Sequence, residues 1–178
     1  MADTLERRSP LQGFVSRFAQ TPGAARVTEE PFVAMVDVWV APVGRAAVVA
    51  AAGADASVIW LGPEELLVTS ASRDGEELEA ALREAVAEPG GAAGDVSAQR
   101  TRVRVSGVRA RDVLAKSCSL DLHPAVFSPG ATAQTVLAQT AVVLIPLADL
   151  GTDYRILVRS SFARHLAEWL LDASQEFA

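Results

Sequence analysis

The chain has 178 residues, half of them hydrophobic and about a fifth charged, a balance that excludes a disordered polymer and suffices for a core without disulfide or metal staples. Sixteen Lys and Arg against twenty-two Asp and Glu leave a formal charge of −6, a field that repels phosphate backbones and anionic bilayers, so no nucleic acid and no membrane is expected as a partner. The most apolar runs, Ala46 to Ala52 and Ala141 to Ala148, fall well short of the roughly 20 residues of a spanning helix.

No apolar segment follows Met1-Ala2-Asp3-Thr4-Leu5-Glu6-Arg7-Arg8, so no secretory or twin-arginine leader is expected and a cytoplasmic location is. The single cysteine, Cys118, cannot form an internal disulfide and fits a reducing compartment. Ser9-Pro10, Thr21-Pro22-Gly23 and Glu30-Pro31 interrupt any long periodicity over residues 1–30, which predicts an irregular N-terminal arm.

The body begins near Phe32. Val33 to Val40 is β-rich and nearly continuous in apolar residues, as in a strand covered on both faces. Arg45 to Ala52 is a short buried helix or a strand, and periodicity does not separate the two. Ser57 to Leu61 and Leu66 to Ser70 read as strands joined by a turn at Gly62-Pro63-Glu64-Glu65. Asp74-Gly75 opens a helix whose stripe is Leu78, Ala81, Leu82, Ala85 and Val86, with Glu79 and Arg83 paired on the wet side, and Pro89-Gly90-Gly91 ends it. This order is most of a split βαβ unit and defines a first lobe over about 31–94.

A second lobe follows over about 95–178. Asp95 to Ser106 reads as a strand in which Thr101, Val103 and Val105 face the core while Arg100, Arg102 and Arg104 face outward. After Gly107 a short helix uses Val108, Ala110, Val113 and Leu114. Thr132 to Leu137, Ala141 to Leu147 and Tyr154 to Val158 supply strands, and a last helix buries Phe162, Leu166, Trp169, Leu170 and Ala173. The whole predicts an α+β fold, a single domain over 31–178 of two split βαβ-like lobes with mixed sheets and a distant internal duplication.

Chemistry is sparse. His123, His165 and Cys118 match no metal-binding spacing. His123 is read as a hydrogen-bonded loop residue and His165 as a partly buried structural one. Cys118 is read as inert packing, because a nucleophilic thiolate needs an adjacent base. Glu64 and Glu65 belong to a solvated turn. Gly90-Gly91-Ala92-Ala93-Gly94 is read as a loop that opens no helix, and Ser106-Gly107, though followed by Arg109 and Arg111, offers one glycine rather than a phosphate fingerprint. The candidate interface is the row Arg100, Arg102 and Arg104, spaced about 7 Å apart along one strand face and suited to an acidic partner.

Several segments carry a resemblance. Ser9-Pro10-Leu11, Trp60-Leu61-Gly62-Pro63-Glu64-Glu65, Asp95-Val96-Ser97, Val103-Arg104-Val105-Ser106-Gly107, Ala110-Arg111-Asp112-Val113-Leu114-Ala115-Lys116, Leu120-Asp121-Leu122-His123-Pro124, Leu157-Val158-Arg159-Ser160-Ser161-Phe162 and Trp169-Leu170-Leu171-Asp172-Ala173 stand in this order. They resemble the gamma-subunit family of heterotetrameric sarcosine oxidases over most of the chain. Ser117 and Ser119 depart from the Gly and Pro common there. The resemblance implies a fold similar to the folate-binding region of the glycine cleavage T-protein. It also implies partners, the alpha, beta and delta subunits, in a complex that oxidatively demethylates sarcosine to glycine. That complex reduces oxygen to hydrogen peroxide and passes the one-carbon unit to tetrahydrofolate. FAD, FMN, NAD and tetrahydrofolate are implied on the larger subunits and no cofactor on this chain, which is expected to support assembly and not to be catalytic alone. An independent folate-binding module is the alternative, and an autonomous enzyme using Cys118 and His123 a third reading.

Overall fold

The structure, a computed structural model, describes residues 7–178. Its contacts gather into two units, Phe32–Arg100 and a second that joins the N-terminal segment through Pro31 to Thr101–Ala178. The N-terminal segment is ordered where it is described. A 3-10 turn (Gln12–Phe14), the single helical turn α1 (Val15–Phe18) and another 3-10 turn (Gly23–Ala25) lead into strand β1 (Arg26–Glu30). The irregular arm expected over residues 1–30 is thus replaced by turns and a strand, and its first six residues lie outside the described residues. The physical reason is an apolar set at helical spacing: Leu11, Phe14 and Phe18 are buried in the unit's core. The Thr21 hydroxyl then donates to the Phe18 carbonyl and accepts from the Val27 amide, which sets the entry to β1.

The next unit runs β2 (Ala34–Trp39), α2 (Arg45–Ala52), β3 (Ser57–Trp60), β4 (Glu65–Ser70), α3 (Gly75–Ala87) and β5 (Ala92–Asp95). Its sheet has the order β3-β4-β2-β5 with every pairing antiparallel, the order of a ferredoxin-like βαββαβ unit. Strand β2 is apolar almost throughout because both its faces are covered: Val36 and Val38 join the core with the helices, and Met35, pointing the other way, is 1% exposed. Asp74 caps α3 by accepting from the Glu76 amide at 2.9 Å, and Leu78, Leu82 and Val86 are fully buried. The Ala-rich run is a helix, entered from a turn that starts at Pro42 and ended by Gly53 at φ +86°. Strand β5 occupies the stretch read as a loop. Small residues allow it: a Cβ on Gly91 would stand 2.6 Å from the Trp39 carbonyl oxygen, so only glycine admits this approach of the chain to β2.

The remaining elements are β6 (Arg100–Ser106), α4 (Ala110–Ala115), β7 (Ala133–Leu137), β8 (Thr140–Pro146), β9 (Asp153–Arg159) and α5 (Ser160–Ser174). They form a five-stranded sheet of order β1-β6-β9-β8-β7. Counting from β6 and taking β1 last, the strands β6, β8, β9 and β1 with α4 and α5 repeat the order of the other unit as a circular permutation, and β7 is an added edge. The lobe boundary therefore falls after Arg100 rather than Gly94, and residues 7–31 belong with the second lobe. The pairings β1–β6, β7–β8 and β8–β9 are antiparallel, as in the other sheet, where mixed sheets were expected. In α5, Leu166, Leu170 and Ala173 are buried as read, but Phe162 is 49% exposed and the stripe centres on Ala163, Ala167 and Leu171 instead. Val108 precedes α4 and is exposed. No helix among the described residues is long and apolar enough to cross a membrane.

Candidate functional site

The arginines of β6 do not share one environment. Register pairs Arg102 with Glu30 and Arg104 with Thr28 on β1. Arg102 is only 7% exposed, against the outward orientation expected for it, with Nη2 3.0 Å from Glu30 Oε2. The same carboxylate accepts from Arg155 of β9, Nε at 2.7 Å and Nη2 at 3.2 Å. Arg104 forks onto Asp153, its Nε 2.8 Å from Oδ1. Arg100 is half-buried and also engaged. Strand β1, absent from the sequence reading, is the reason: it brings a carboxylate to the face where the arginines had only solvent.

The electrostatics follow from this geometry. Burial alone would raise the Glu30 carboxyl, but the Arg155 hydrogen bond and the charges of Arg102, Arg155 and Arg104 outweigh it and hold the group below its ordinary value. Burial lowers Arg102, opposed by Glu30 and reinforced by the like charge of Arg155. The hydrogen bond to Asp153 raises Arg104. Three guanidiniums thus share two carboxylates, and Arg102 Nε is buried without a hydrogen-bond partner. The cluster ties β1, β6 and β9 together. Sequence reasoning missed Glu30, Asp153 and Arg155. The available signal was the Glu29-Glu30 pair ending Arg26-Val27-Thr28-Glu29-Glu30, opposite in charge to the arginines of residues 100–104.

The other candidates lie apart. His123 is exposed, its Nδ1 accepting from the Ala125 amide at 3.2 Å, a loop contact as read. His165 is more exposed than expected, yet its Nε2 lies 2.8 Å from the Ala138 carbonyl and so must donate to it. Ala138 and Gln139 hold φ of 50° and 60° in the β7–β8 turn, and the Ser117 hydroxyl fixes the same turn by accepting from the Ala138 amide. Cys118 is half-buried against the core. Glu64 is exposed and Glu65 half-buried at the β3–β4 connection.

Neither glycine segment fits a phosphate. Gly107 has φ +118°, and a Cβ there would meet the Ala24 carbonyl oxygen at 2.4 Å. The Gly107 amide already donates to the Thr152 carbonyl and the Arg109 amide to the Ala24 carbonyl, so two of the turn's donors are turned to the chain itself. A cleft of about 260 Å³ lies between Thr21, Pro22, Leu171 and Ser174. Its hydroxyls are turned to the Phe18 and Leu171 carbonyls, and Arg17 at its edge forks onto Glu168 at 2.6 Å. Among the described residues no group of three or more His, Cys, Asp or Glu side chains is placed to hold a metal ion.

Residues 27–176 match the family model described as sarcosine oxidase, gamma subunit family. The chain belongs to that family. The sarcosine oxidase subunit gamma of Corynebacterium sp. (strain P-1) is 35% identical over 193 residues, covering 98% of this chain and 93% of that one. A chain of the heterotetrameric sarcosine oxidase from Corynebacterium sp. U-96, a complex that holds pyrrole 2-carboxylate, superposes with a TM-score of 0.85 at 32% identity, covering 96% of each chain. The glycine cleavage system aminomethyltransferase T from Bartonella henselae superposes at 0.63 over 88% of this chain and 48% of that one, and at 14% identity it shows a common fold alone. The gamma-subunit family therefore shares its α+β framework with an aminomethyltransferase, as the resemblance implied.

Proposed function

We propose that this chain is a non-catalytic subunit of a heterotetrameric sarcosine oxidase and that it supports assembly of the alpha, beta and delta chains. The observation that carries the reading is the end-to-end superposition, 96% of both chains, on a chain of such a complex. The local chemistry is consistent with it: the ion pairs of Glu30 with Arg102 and Arg155 tie strands together, and the Gly107 and Arg109 amides are already bonded within the chain. On this reading FAD, FMN, NAD and tetrahydrofolate bind the larger subunits, whose joint reaction converts sarcosine to glycine with hydrogen peroxide and a one-carbon unit as co-products. Of the arginine row, Arg104 keeps a partly exposed head for an acidic partner while paired with Asp153, whereas Arg102 is committed to Glu30 and Arg100 is half-buried and engaged.

Co-expression with the neighbouring subunits, capture through a tag on this chain and an absorbance spectrum of the eluate test the proposal. The expected outcome is recovery of the larger subunits with flavin absorption that is missing from the chain alone. Recovery of a lone chain, or of a flavin bound to it, overturns the reading. The aminomethyltransferase-like fold motivates a second reading, an independent folate-binding module. Calorimetry of the isolated chain with tetrahydrofolate separates the two, since stoichiometric heat would favour the module.

A further inference from the structure

Helix α2 buries only Val48 and Ala52, yet its other sides carry almost no charge. Pro42 and Val43 in the turn before it, then Ala46, Val49 and Ala50, follow one another at helical spacing and are all exposed, Val43 by 83% and Val49 by 57%. Trp60 of β3, 54% exposed, is joined to this helix by the Arg45 guanidinium, which stacks over its ring at 3.8 Å. A helix that is apolar all round is normally a buried one. An exposed apolar ridge with a Trp and an Arg beside it is the composition of an interface centre, where charge is depleted and Trp and Arg are enriched.

The neighbour of this ridge defines what covers it. Helix α3 packs beside α2, and its exposed side carries Glu76, Glu77, Glu84 and Glu88, while Arg83 is paired with Glu79. The helix beside the ridge is therefore acidic on its exposed side, Arg45 and Arg73, the latter donating to the Ala51 carbonyl, being the cations that touch α2. A second copy of this chain would bring another charge of −6 and the same acidic helix toward it, an unfavourable match. A surface with an apolar strip edged by Lys and Arg complements both features.

We infer that the α2 ridge, from Pro42 to Ala50 with Trp60, is the docking surface for a larger subunit of the complex through an apolar strip with a basic border. This rests on the subunit reading above and names the face that serves it. In the co-expressed complex, Val49→Asp and Val43→Asp are each expected to lower the amount of chain retained with the larger subunits by roughly tenfold or more, with the circular dichroism of the variant chains unchanged. The double variant Glu84→Lys/Glu88→Lys tests the acidic side without touching the ridge and is expected to weaken retention and its salt sensitivity. It decides the matter if the aspartate variants do not fold. Folded variants retained at wild-type stoichiometry overturn the inference while leaving the subunit reading intact. A wild-type chain that fails to co-purify overturns the subunit reading itself. Light scattering that shows a dimer of the isolated chain, dissolved by Val43→Asp with retention in the complex unaffected, reassigns the ridge to self-association and also overturns it.

Discussion

Glu30 accepts from two guanidiniums at once, one of them 8% exposed at its side chain. Removing the carboxylate charge strands both cations, and uncompensated buried charge is costly. Glu30→Gln keeps the shape and is expected to lower stability by about 2–4 kcal/mol at neutral pH, read from urea unfolding. The pH dependence has a defined sign. The folded-state carboxyl lies below its ordinary value of 4.5, so the unfolded chain binds the proton more readily. The contribution is complete above that value and drains away as pH falls through the folded-state value. The gap between wild type and Glu30→Gln should thus be widest near neutrality and narrow in acid; a gap independent of pH would show that the carboxylate charge is not what stabilises the cluster. The alternation of Thr101, Val103 and Val105 with the arginines was legible from the sequence. The fate of Arg102 was not, because its partner sits on a strand some seventy residues earlier and an alternation reveals a face without revealing what covers it.

At the scale of elements, legibility followed locality. The β3–β4 hairpin has its turn chemistry between its strands, and α3 carries its own cap, Asp74, and its own stripe, so neighbours in sequence suffice to define both. Strands β1 and β5 lacked such signals. One is largely charged and the other is Ala92-Ala93-Gly94-Asp95; each is a strand because of what it pairs with, β6 and β2 respectively. For β1 the tether is quantitative. Glu29 accepts from the Ser9 hydroxyl at 2.7 Å and from Thr101 at 2.8 Å, and Leu11 is fully buried ahead of it. Leu11→Ala is expected to cost about 2–5 kcal/mol, as for other buried leucines, measured by thermal or urea unfolding. A loss below about 0.5 kcal/mol, the range of surface substitutions, would mean that the N-terminal segment is the loose arm its prolines suggested.

For the whole molecule, two units with one strand order, related by circular permutation, give a framework that also occurs in an aminomethyltransferase, where this chain spans 48% of the length. A framework does not assign chemistry, so what distinguishes a scaffold from a hidden catalyst must be a property of the assembly. Mass action supplies the measure of binding against which turnover is read. A subunit that binds only the folded form of its partners stabilises them by an amount set by its free concentration relative to the dissociation constant, about 2.7 kcal/mol at a hundredfold excess over that constant. Titrating this chain into the larger subunits is therefore expected to raise their melting temperature progressively and without saturation at equimolar addition, while turnover per folded larger subunit stays constant. If the chain instead contributed a reacting group, the melting temperature would rise in the same way, but turnover per folded larger subunit would climb from near zero and level off at one chain per complex. A titration in which turnover depends on the chain at fixed melting temperature would refute the scaffold role, because binding energy that stabilises nothing cannot be assembling the complex.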